Sequence, residues 1–212
     1  MKLRHDIDSF LAALPGDVTL VAASKYVDAP VIENMYQHGI RNFGENRVEA
    51  FLEKREALKE LPLTWHFIGH LQRNKALDVI NKIDYLHSLD SLKLADIIEK
   101  NCQKSLKVFI EVSINEEENK NGVKVSELDE FVSKLLKYSK IELVGLMMMS
   151  IKYSDEKSLN EQFAKLKQVK KHLTETFKIS LPFLSMGMSD DYLEAISQGA
   201  THIRLGRILF EE

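Results

Sequence analysis

The feature that most constrains the fold of this chain is a regular alternation of short apolar segments with segments of helical periodicity. Each apolar segment is rich in the apolar, β-branched or aromatic residues that strands favour. The eight segments are VTLVAAS, IRNFG, LTWHFIG, IDYLHSL, LKVFIEVS, IELVGLMMM, LPFLSMG and THIRLG. A helical pattern that contains Ile7 and Phe10 precedes the first segment, and another helical pattern follows each of the eight.

Strict alternation implies parallel strands joined by crossover helices. A count of eight favours a closed (β/α)8 barrel, the TIM barrel, over an open doubly wound sheet. We therefore predict a single α/β domain over residues 1–212, with one extra N-terminal helix and no C-terminal β domain.

Several residues predict where the helices begin and end. Pro30 is placed to begin the helix after the first strand, and Gly39 to end it. Ser126 and Ser189 are predicted to cap the helices after the fifth and seventh strands. The longest helix is predicted to contain the apolar residues from Leu159 to Phe177.

Composition argues against several classes of protein. The chain has a net charge of −3, so no overall positive field attracts nucleic acid or an anionic membrane. Its lysine-rich stretch KLKQVKKH is predicted to be the solvated face of a helix. No apolar run approaches the ~20 residues of a membrane span, and the N-terminus has no signal-peptide pattern. The one cysteine, Cys102, is predicted to be buried or inert, which fits a reducing compartment. We expect a cytoplasmic monomer that binds neither nucleic acid nor membrane.

Polar residues and glycines follow the predicted strands, at the barrel end where such folds carry their chemistry. They include Lys25, Glu45, Asn46, Arg47, His70, Ser88, Asp90, Asn115, Ser150, Ser185, Gly187, Gly206 and Arg207. Alternation within the strands indicates which side chains face the barrel axis. By this pattern Lys25, His66 and Arg204 point towards one axial cavity, and the buried arginine requires a partner.

A lysine in such a cavity can attack a carbonyl carbon as a neutral amine and form a Schiff base. Two classes of ligand follow, a sugar-like carbonyl compound or pyridoxal phosphate. A phosphate group of either would bind after the last two strands, at the backbone N–H groups near Gly187 and Gly206.

The residues also carry a family resemblance. The stretches VAASK, NFGENRVEAF, WHFIGHLQRNK, HSLDSLKLA, LMMMS and LSMGMSDDYLEAISQGATHIRLG occur in this order over nearly the whole chain. In this combination the chain resembles the pyridoxal phosphate homeostasis proteins, small relatives of the N-terminal barrel of alanine racemase.

The resemblance implies a role for each matching residue. Lys25 would hold pyridoxal 5′-phosphate as an internal aldimine, with Asn46 and His66 beside the ring. Arg204 would donate to the pyridine nitrogen and keep it unprotonated, which weakens the ring as an electron sink. The residues expected at the phosphate are Ser185, Gly187, Gly206 and Arg207, where Arg207 replaces an expected small hydroxyl residue. Met148 and Ile151 also depart from the family pattern, in which a threonine and a proline are expected at these positions.

The resemblance further implies a function without substantial catalysis. Alanine racemase adds a C-terminal β domain whose tyrosine is its second acid/base group, and this chain ends before such a domain. The protein is therefore expected to serve intracellular vitamin B6 homeostasis and to deliver the cofactor to apo-enzymes. Two alternatives stay open: a pyridoxal phosphate enzyme with weak racemase activity, and a class I aldolase without cofactor. The aldolase would need a second acidic or lysine residue inside the barrel, and no clear candidate is found.

Other readings compete at single positions. His66 is as well explained as a hydrogen-bonded core histidine, and His202 either lines the barrel or packs outside it. His66 and His70 are spaced like a helical zinc pair, but on a strand and its exit they would lie about 13 Å apart, so no metal site is expected. The glutamates at 116, 117 and 118 lack the pattern of a calcium loop. The methionines at 147, 148 and 149 are expected to pack in the core.

Overall fold

The computed structural model describes residues 1–115, 121–151 and 153–211, so the glutamates at 116, 117 and 118 lie outside the described residues. The strands are β1 Thr19–Ala23, β2 Asn42–Glu45, β3 Thr64–Phe67, β4 Tyr85–Leu89, β5 Leu106–Ser113, β6 Val123–Lys124, β7 Ile141–Met147, β8 Phe183–Ser185 and β9 His202–Leu205. The α-helices are α1 Ile7–Ala12, α2 Ala29–Gln37, α3 Val48–Ala57, α4 Ala76–Val79, α5 Leu92–Asn101, α6 Leu128–Leu135, α7 Glu156–Phe177 and α8 Tyr192–Ser197. Short 3-10 helices cover Arg73–Lys75, Val125–Glu127 and Arg207–Leu209.

Eight of the strands form a closed parallel barrel in the order β4-β3-β2-β1-β9-β8-β7-β5, and the pairing of β4 with β5 closes the ring. The two-residue strand β6 pairs only with the end of β5. Each of the eight predicted segments contains one barrel strand, so the predicted (β/α)8 barrel with an N-terminal helix is confirmed.

Two apolar clusters hold the barrel together. The larger one lies between strands and helices and includes Trp65, Phe67 and Ile203, which alternation had assigned to the outer face. The smaller one lies inside the barrel and is built from Phe109, Val144 and Met147, with partly buried aromatic rings against it. The inner face of the barrel is therefore a packed layer below the mouth.

Two of the predicted helix ends are confirmed. Pro30 lies in the first turn of α2, and Gly39 follows that helix with a φ of +91°. The lysine-rich stretch lies on α7, the longest helix at 22 residues, and Lys165, Lys167 and Lys171 are exposed there.

The two predicted serine caps are wrong. Ser126 lies within a 3-10 turn, and α6 begins after Glu127 without a side-chain cap. Ser189 lies too far before α8, whose N-cap residue is Asp191. The hydroxyl of Ser189 instead accepts hydrogen bonds from the chain after β9, so contact between elements decides its partner rather than its nearest helix.

Three smaller expectations are also decided. Cys102 is buried, and burial raises the pKa of its thiol, as expected for an inert cysteine. Met147 and Met148 are buried, whereas Met149 is 53% exposed, so only two of the three methionines pack in the core. Within the described part of the chain, no helix combines the length and apolarity needed to cross a membrane.

Candidate functional site at the mouth of the barrel

A chain of hydrogen bonds crosses the inside of the barrel and ends at Arg204. The guanidinium donates to Ser185 Oγ at 2.7 Å and to the carbonyl oxygen of Met148 at 2.8 Å. Ser185 Oγ lies 2.8 Å from His87 Nδ1, and His87 Nε2 lies 2.8 Å from His66 Nδ1. His66 Nε2 then lies 3.0 Å from Asn42 Oδ1. The structure thus confirms that Arg204 and His66 face inward, and it joins them through His87 and Ser185.

Every hydrogen bond in this series donates in the same direction, from Arg204 towards Asn42. Arg204 can only donate, and the carbonyl oxygen of Asn42 can only accept. The proton positions follow: Ser185 donates to His87, His87 donates through Nε2 to His66, and His66 donates through Nε2 to Asn42. In this arrangement each of the two histidines is neutral, with one ring nitrogen donating and the other accepting.

Burial keeps these histidines neutral. It lowers the pKa of His66 to about 3, and the neighbouring His202 adds to the effect. It lowers the pKa of His87 well below 6.5, with further contributions from His66 and Arg204. His202 also lines the inner face, and burial and Arg204 lower its pKa to about 4. Burial lowers the pKa of Arg204 to about 10, so the guanidinium stays charged at neutral pH.

Lys25 lies just past β1, where its side chain is half-buried. Its ammonium lies 4.7 Å from the centroid of the exposed Tyr26 ring. It borders a groove of about 490 Å³ between the start of α2 and α3, which Arg47 and Lys54 also line. No hydrogen bond between Lys25 and His66 or Arg204 occurs among the described residues. The structure joins His66 and Arg204 through His87 and Ser185, whereas the convergence of Lys25 with them on one cavity stays a prediction.

A buried ion pair supports the turn that carries Lys25. Glu45 is fully buried, and its Oε1 atom accepts from Lys54 Nζ and from Ser24 Oγ, both at 2.6 Å. Lys54 Nζ also donates to the carbonyl oxygen of Ser24 at 2.6 Å. Because both the backbone and the side chain of Ser24 are held, the residue next to Lys25 is fixed against β2 and α3.

The segments after β8 and β9 meet in a second part of the site. Gly187 has a φ of +95°, and an added Cβ would lie 2.7 Å from the Cβ of Ala195. The backbone N–H groups of Gly206 and Ile208 both point to Ser189 Oγ, at 3.2 and 3.5 Å. A single oxygen that accepts from two backbone N–H groups has the environment that a phosphate oxygen takes in such loops.

Arg207 links the two loops at their exposed rim. Its guanidinium donates to Asp190 Oδ2 at 2.5 Å, and 72% of its side chain is exposed. Asn46 follows β2, which is two strands from β9 in the barrel, and its Oδ1 atom is buried without a hydrogen-bond partner among the described residues. A buried amide oxygen without a partner is costly, so Asn46 is suited to receive a ligand donor.

The sequence reasoning missed three buried residues of this region. Lys54 and His87 carry the contacts just described, and Glu111 on β5 faces into the barrel at 5% exposure. The signal for His87 and Glu111 was available, since each is a polar residue at an inward position of an apolar strand. Lys54 lies on a helix with no distinctive pattern, and only the packing of α3 on β2 identifies its partner.

Among the described residues, no group of three or more histidine, cysteine, aspartate or glutamate side chains is placed to hold a metal ion. His66 and His70 have separate partners, since His66 lies in the buried chain and His70 Nδ1 lies 3.1 Å from Asp90 Oδ2.

Comparison with known proteins assigns this barrel to a family. The sequence matches the family described as "Alanine racemase, N-terminal domain" over residues 2–212. A relative from Aquifex aeolicus, named "Pyridoxal phosphate homeostasis protein", is 41% identical over 196 residues, which is 91% of this chain and 86% of that protein. PipY of Synechococcus elongatus, in a structure described as having PLP bound, is 32% identical with a TM-score of 0.90 and covers 97% of this chain and 100% of that one.

Alanine racemase from Clostridium difficile shares the fold alone. It is 17% identical, with a TM-score of 0.79 over 100% of this chain and 58% of the racemase chain. Fold and site together define a barrel of the class formed by the alanine racemase N-terminal domain. Within that class, the chain belongs to the pyridoxal phosphate homeostasis proteins, so the predicted resemblance is confirmed.

Proposed function

We propose that this protein binds pyridoxal 5′-phosphate at the mouth of its barrel, with Lys25 as the point of covalent attachment. The observation that carries the proposal is the match to PipY, whose structure is described with PLP bound and covers 97% of this chain. The role that follows is vitamin B6 homeostasis, in which a reactive aldehyde is held and kept at a low free concentration.

The residues present fit this cofactor. The orphaned Oδ1 atom of Asn46 is a buried acceptor at the mouth. The N–H groups of Gly206 and Ile208 converge on one oxygen, which a phosphate oxygen can replace. The Nε–H group of Arg204 makes no hydrogen bond to a described residue, because only its terminal nitrogens are engaged. Acceptor, anion site and charged donor thus lie at one end of the barrel.

When bound, pyridoxal phosphate supplies an aldehyde that bonds to an amine and a ring that withdraws electrons. Lys25 supplies the amine, and the Glu45–Lys54 pair fixes the turn before it. Gly187, Gly206 and the hydroxyl of Ser189 hold the phosphate group largely through the backbone.

Arg204 would donate to the ring nitrogen and keep it unprotonated, while Ser185 and His87 hold the guanidinium in place. Asn46 would lie beside the ring, and His66 would contact it through its ring face, since both of its nitrogens are engaged. Arg207 contributes positive charge at the rim of the phosphate site.

We propose that the protein does not catalyse substantial turnover, because an unprotonated ring nitrogen weakens the electron sink that racemisation needs. The second candidate function is weak amino-acid racemisation, and two observations favour it. The fold is shared with alanine racemase, and Glu111 provides a buried carboxyl group in the barrel. Exchange of the α-hydrogen of an amino acid with deuterium from solvent, lost in Lys25→Ala, would favour the enzyme over the carrier.

The proposed setting is the cytoplasm, with the chain acting as a single-domain monomer over residues 1–212. Delivery of the cofactor to apo-enzymes is the proposed outcome of binding, since a covalent but reversible bond to an amine can pass to another lysine. Measurement of the solution mass, and of activity regained by an apo-enzyme mixed with the loaded protein, tests these two statements.

The decisive experiment is reduction with borohydride after incubation with pyridoxal phosphate, followed by intact mass and peptide mapping. We expect a yellow protein that gains one pyridoxyl group, located on Lys25. The matched control is Lys93→Ala, which removes an exposed lysine on α5 and should leave the labelling unchanged.

Lys25→Ala should abolish the label while the protein keeps its circular dichroism spectrum. A colourless wild-type protein without label would overturn the proposal and return Lys25 to the aldolase hypothesis. In that case Glu111 is the acidic residue inside the barrel for which the sequence offered no clear candidate.

A further inference from the structure

A carboxyl group lies inside the barrel where the proposed function does not use it. Glu111 is on β5, on the same face as Phe109, whose ring stacks on His87 at 4.3 Å between centroids. In the strand order of the barrel, β5 is four strands from β1 in either direction. Glu111 therefore faces the barrel axis from the side opposite the strand that leads to Lys25, level with Met147 at the end of β7.

The surroundings of Glu111 do not neutralise its charge. The residue is 5% exposed, and no hydrogen bond joins its carboxyl group to another described residue. Asp90, which follows β4, adds a second negative charge nearby, and Arg204 on β9 opposes it. Burial and Asp90 outweigh Arg204, and together they raise the pKa of Glu111 from 4.5 to about 7.

The other titratable groups on the inner wall either keep the same charge near neutral pH or lie away from Glu111. His87 on β4 and His202 on β9 remain neutral, because burial holds their pKa values low. The neighbouring strand β7 presents the uncharged Met147 level with Glu111. Lys107, on the same face of β5, lies two positions below Phe109, where its Nζ atom is 3.5 Å from Tyr85 Oη.

The remaining charged groups, Asp90 and Lys25, lie outside this layer of direct neighbours. Asp90 is paired with His70, and Lys25 approaches from the opposite strand. Among the described residues, Glu111 is therefore the carboxyl group of the inner barrel wall whose charge changes near neutral pH. An anionic ligand in the cavity would be exposed to this change.

We propose that Glu111 is a proton-holding residue of the ligand cavity and makes the retention of pyridoxal phosphate depend on pH near neutrality. This inference rests on the proposed function, since it needs the anionic cofactor in the cavity. A neutral Glu111 does not repel the negatively charged phosphate ester, whereas an ionised Glu111 does. The residue thus sets retention without forming a bond to the ligand.

The direction of the effect follows from linkage. In the ligand-free protein Glu111 is mostly neutral below pH 7 and mostly ionised above it. An anionic ligand favours the neutral form, so binding above pH 7 takes up a proton. The affinity then falls as pH rises, by at most about tenfold per pH unit for one linked proton.

The experiment compares the Kd of pyridoxal phosphate for wild type and Glu111→Gln from pH 6 to 8.5 at constant ionic strength. All other titrating groups of ligand and protein are the same in the two proteins, so the ratio of the two Kd values isolates Glu111. We expect wild type and variant to agree near pH 6, and wild type to bind about tenfold more weakly than the variant at pH 8.5. Glu142→Gln, an exposed glutamate on β7, is the matched control and should follow wild type.

A second measurement does not depend on a folded variant or on the ligand. The carbonyl stretch of a protonated, buried carboxyl group in the ligand-free wild type should disappear in the infrared difference spectrum between pH 6 and 8. A ratio of Kd values that stays constant with pH, or a carboxyl group already ionised at pH 6, would overturn the role of Glu111 alone. If pyridoxal phosphate binds to none of the proteins at any pH, the proposed function fails first.

Discussion

At the scale of single residues, two buried cations are stabilised in different ways. Lys54 is paired directly with the carboxylate of Glu45, so its charge is balanced inside the protein. The terminal nitrogens of Arg204 donate to a hydroxyl and to a carbonyl, which are neutral acceptors and do not cancel its charge. The positive potential of Arg204 therefore remains available to a ligand at the barrel mouth, whereas Lys54 has a supporting role.

Loss of Lys54 should be costly because it leaves Glu45 charged and buried. We expect Lys54→Met to lower the free energy of unfolding by about 3–5 kcal/mol. Urea denaturation at pH 7 measures the change, and Lys59→Met is the control. Lys59 forms an exposed pair with Glu56, and its replacement should leave the free energy of unfolding nearly unchanged.

The cause of the loss can be separated from a packing defect. In the double variant Glu45→Gln with Lys54→Met the buried charge is gone, so part of the stability should return. If the double variant is as unstable as the sum of the two single variants, the ion pair does not support this turn.

At the scale of elements, the loop between β8 and α8 shows how the chain makes room for the phosphate site. Its backbone turns at Gly187, whose φ of +95° and close approach to α8 exclude a larger residue. Asp191 holds the same loop by accepting from the N–H of Met188. The backbone amide groups of this loop are consequently fixed before any ligand binds.

Gly187→Ala should therefore strain both the loop and the helix that follows it. We expect a loss of about 1–3 kcal/mol in the free energy of unfolding, and weaker binding of pyridoxal phosphate. Gly16→Ala is the matched control, because Gly16 has open space around it and no positive φ. Thermal denaturation and a binding titration of both variants provide the measurement, and equal behaviour of the two would contradict this account.

At the scale of the whole molecule, the inner wall of the barrel couples folding to protons. His66, His87 and His202 are neutral in the folded barrel, whereas each has an ordinary pKa of 6.5 when unfolded. Their contribution to stability is present above pH 6.5 and is lost as the pH falls towards their lowered pKa values. Glu111 acts in the opposite direction, since its raised pKa contributes stability that is lost as pH rises through about 7.

Near pH 5 the unfolded chain binds about two more protons at these four groups than the folded protein does, because the three histidines outweigh Glu111. We expect the free energy of unfolding to fall by about 3 kcal/mol for each pH unit below 6, as measured by urea denaturation. His87→Gln should reduce this slope by about half, because one buried histidine no longer distinguishes the folded and unfolded states. His5→Gln, at an exposed position, should leave the slope unchanged, and an equal effect of both changes would contradict the assignment.

The sequence by itself determined the barrel, its strand count and the inward direction of His66 and Arg204. These properties depend on the spacing of apolar residues along the chain, which is local information. It also predicted Lys25, Asn46, Gly187 and Gly206 at the carboxyl ends of the strands, since that position follows from strand order alone.

Only the tertiary structure decided which distant groups meet. His87 and Ser185 are 98 residues apart, and Ser189 contacts the chain after β9 rather than capping a helix. The pairing of Lys54 with Glu45 and the isolation of Glu111 have the same origin. Closure of the barrel sets the register between strands, and this register decides whether a buried charge has a partner. The spacing of residues along the chain does not contain that information.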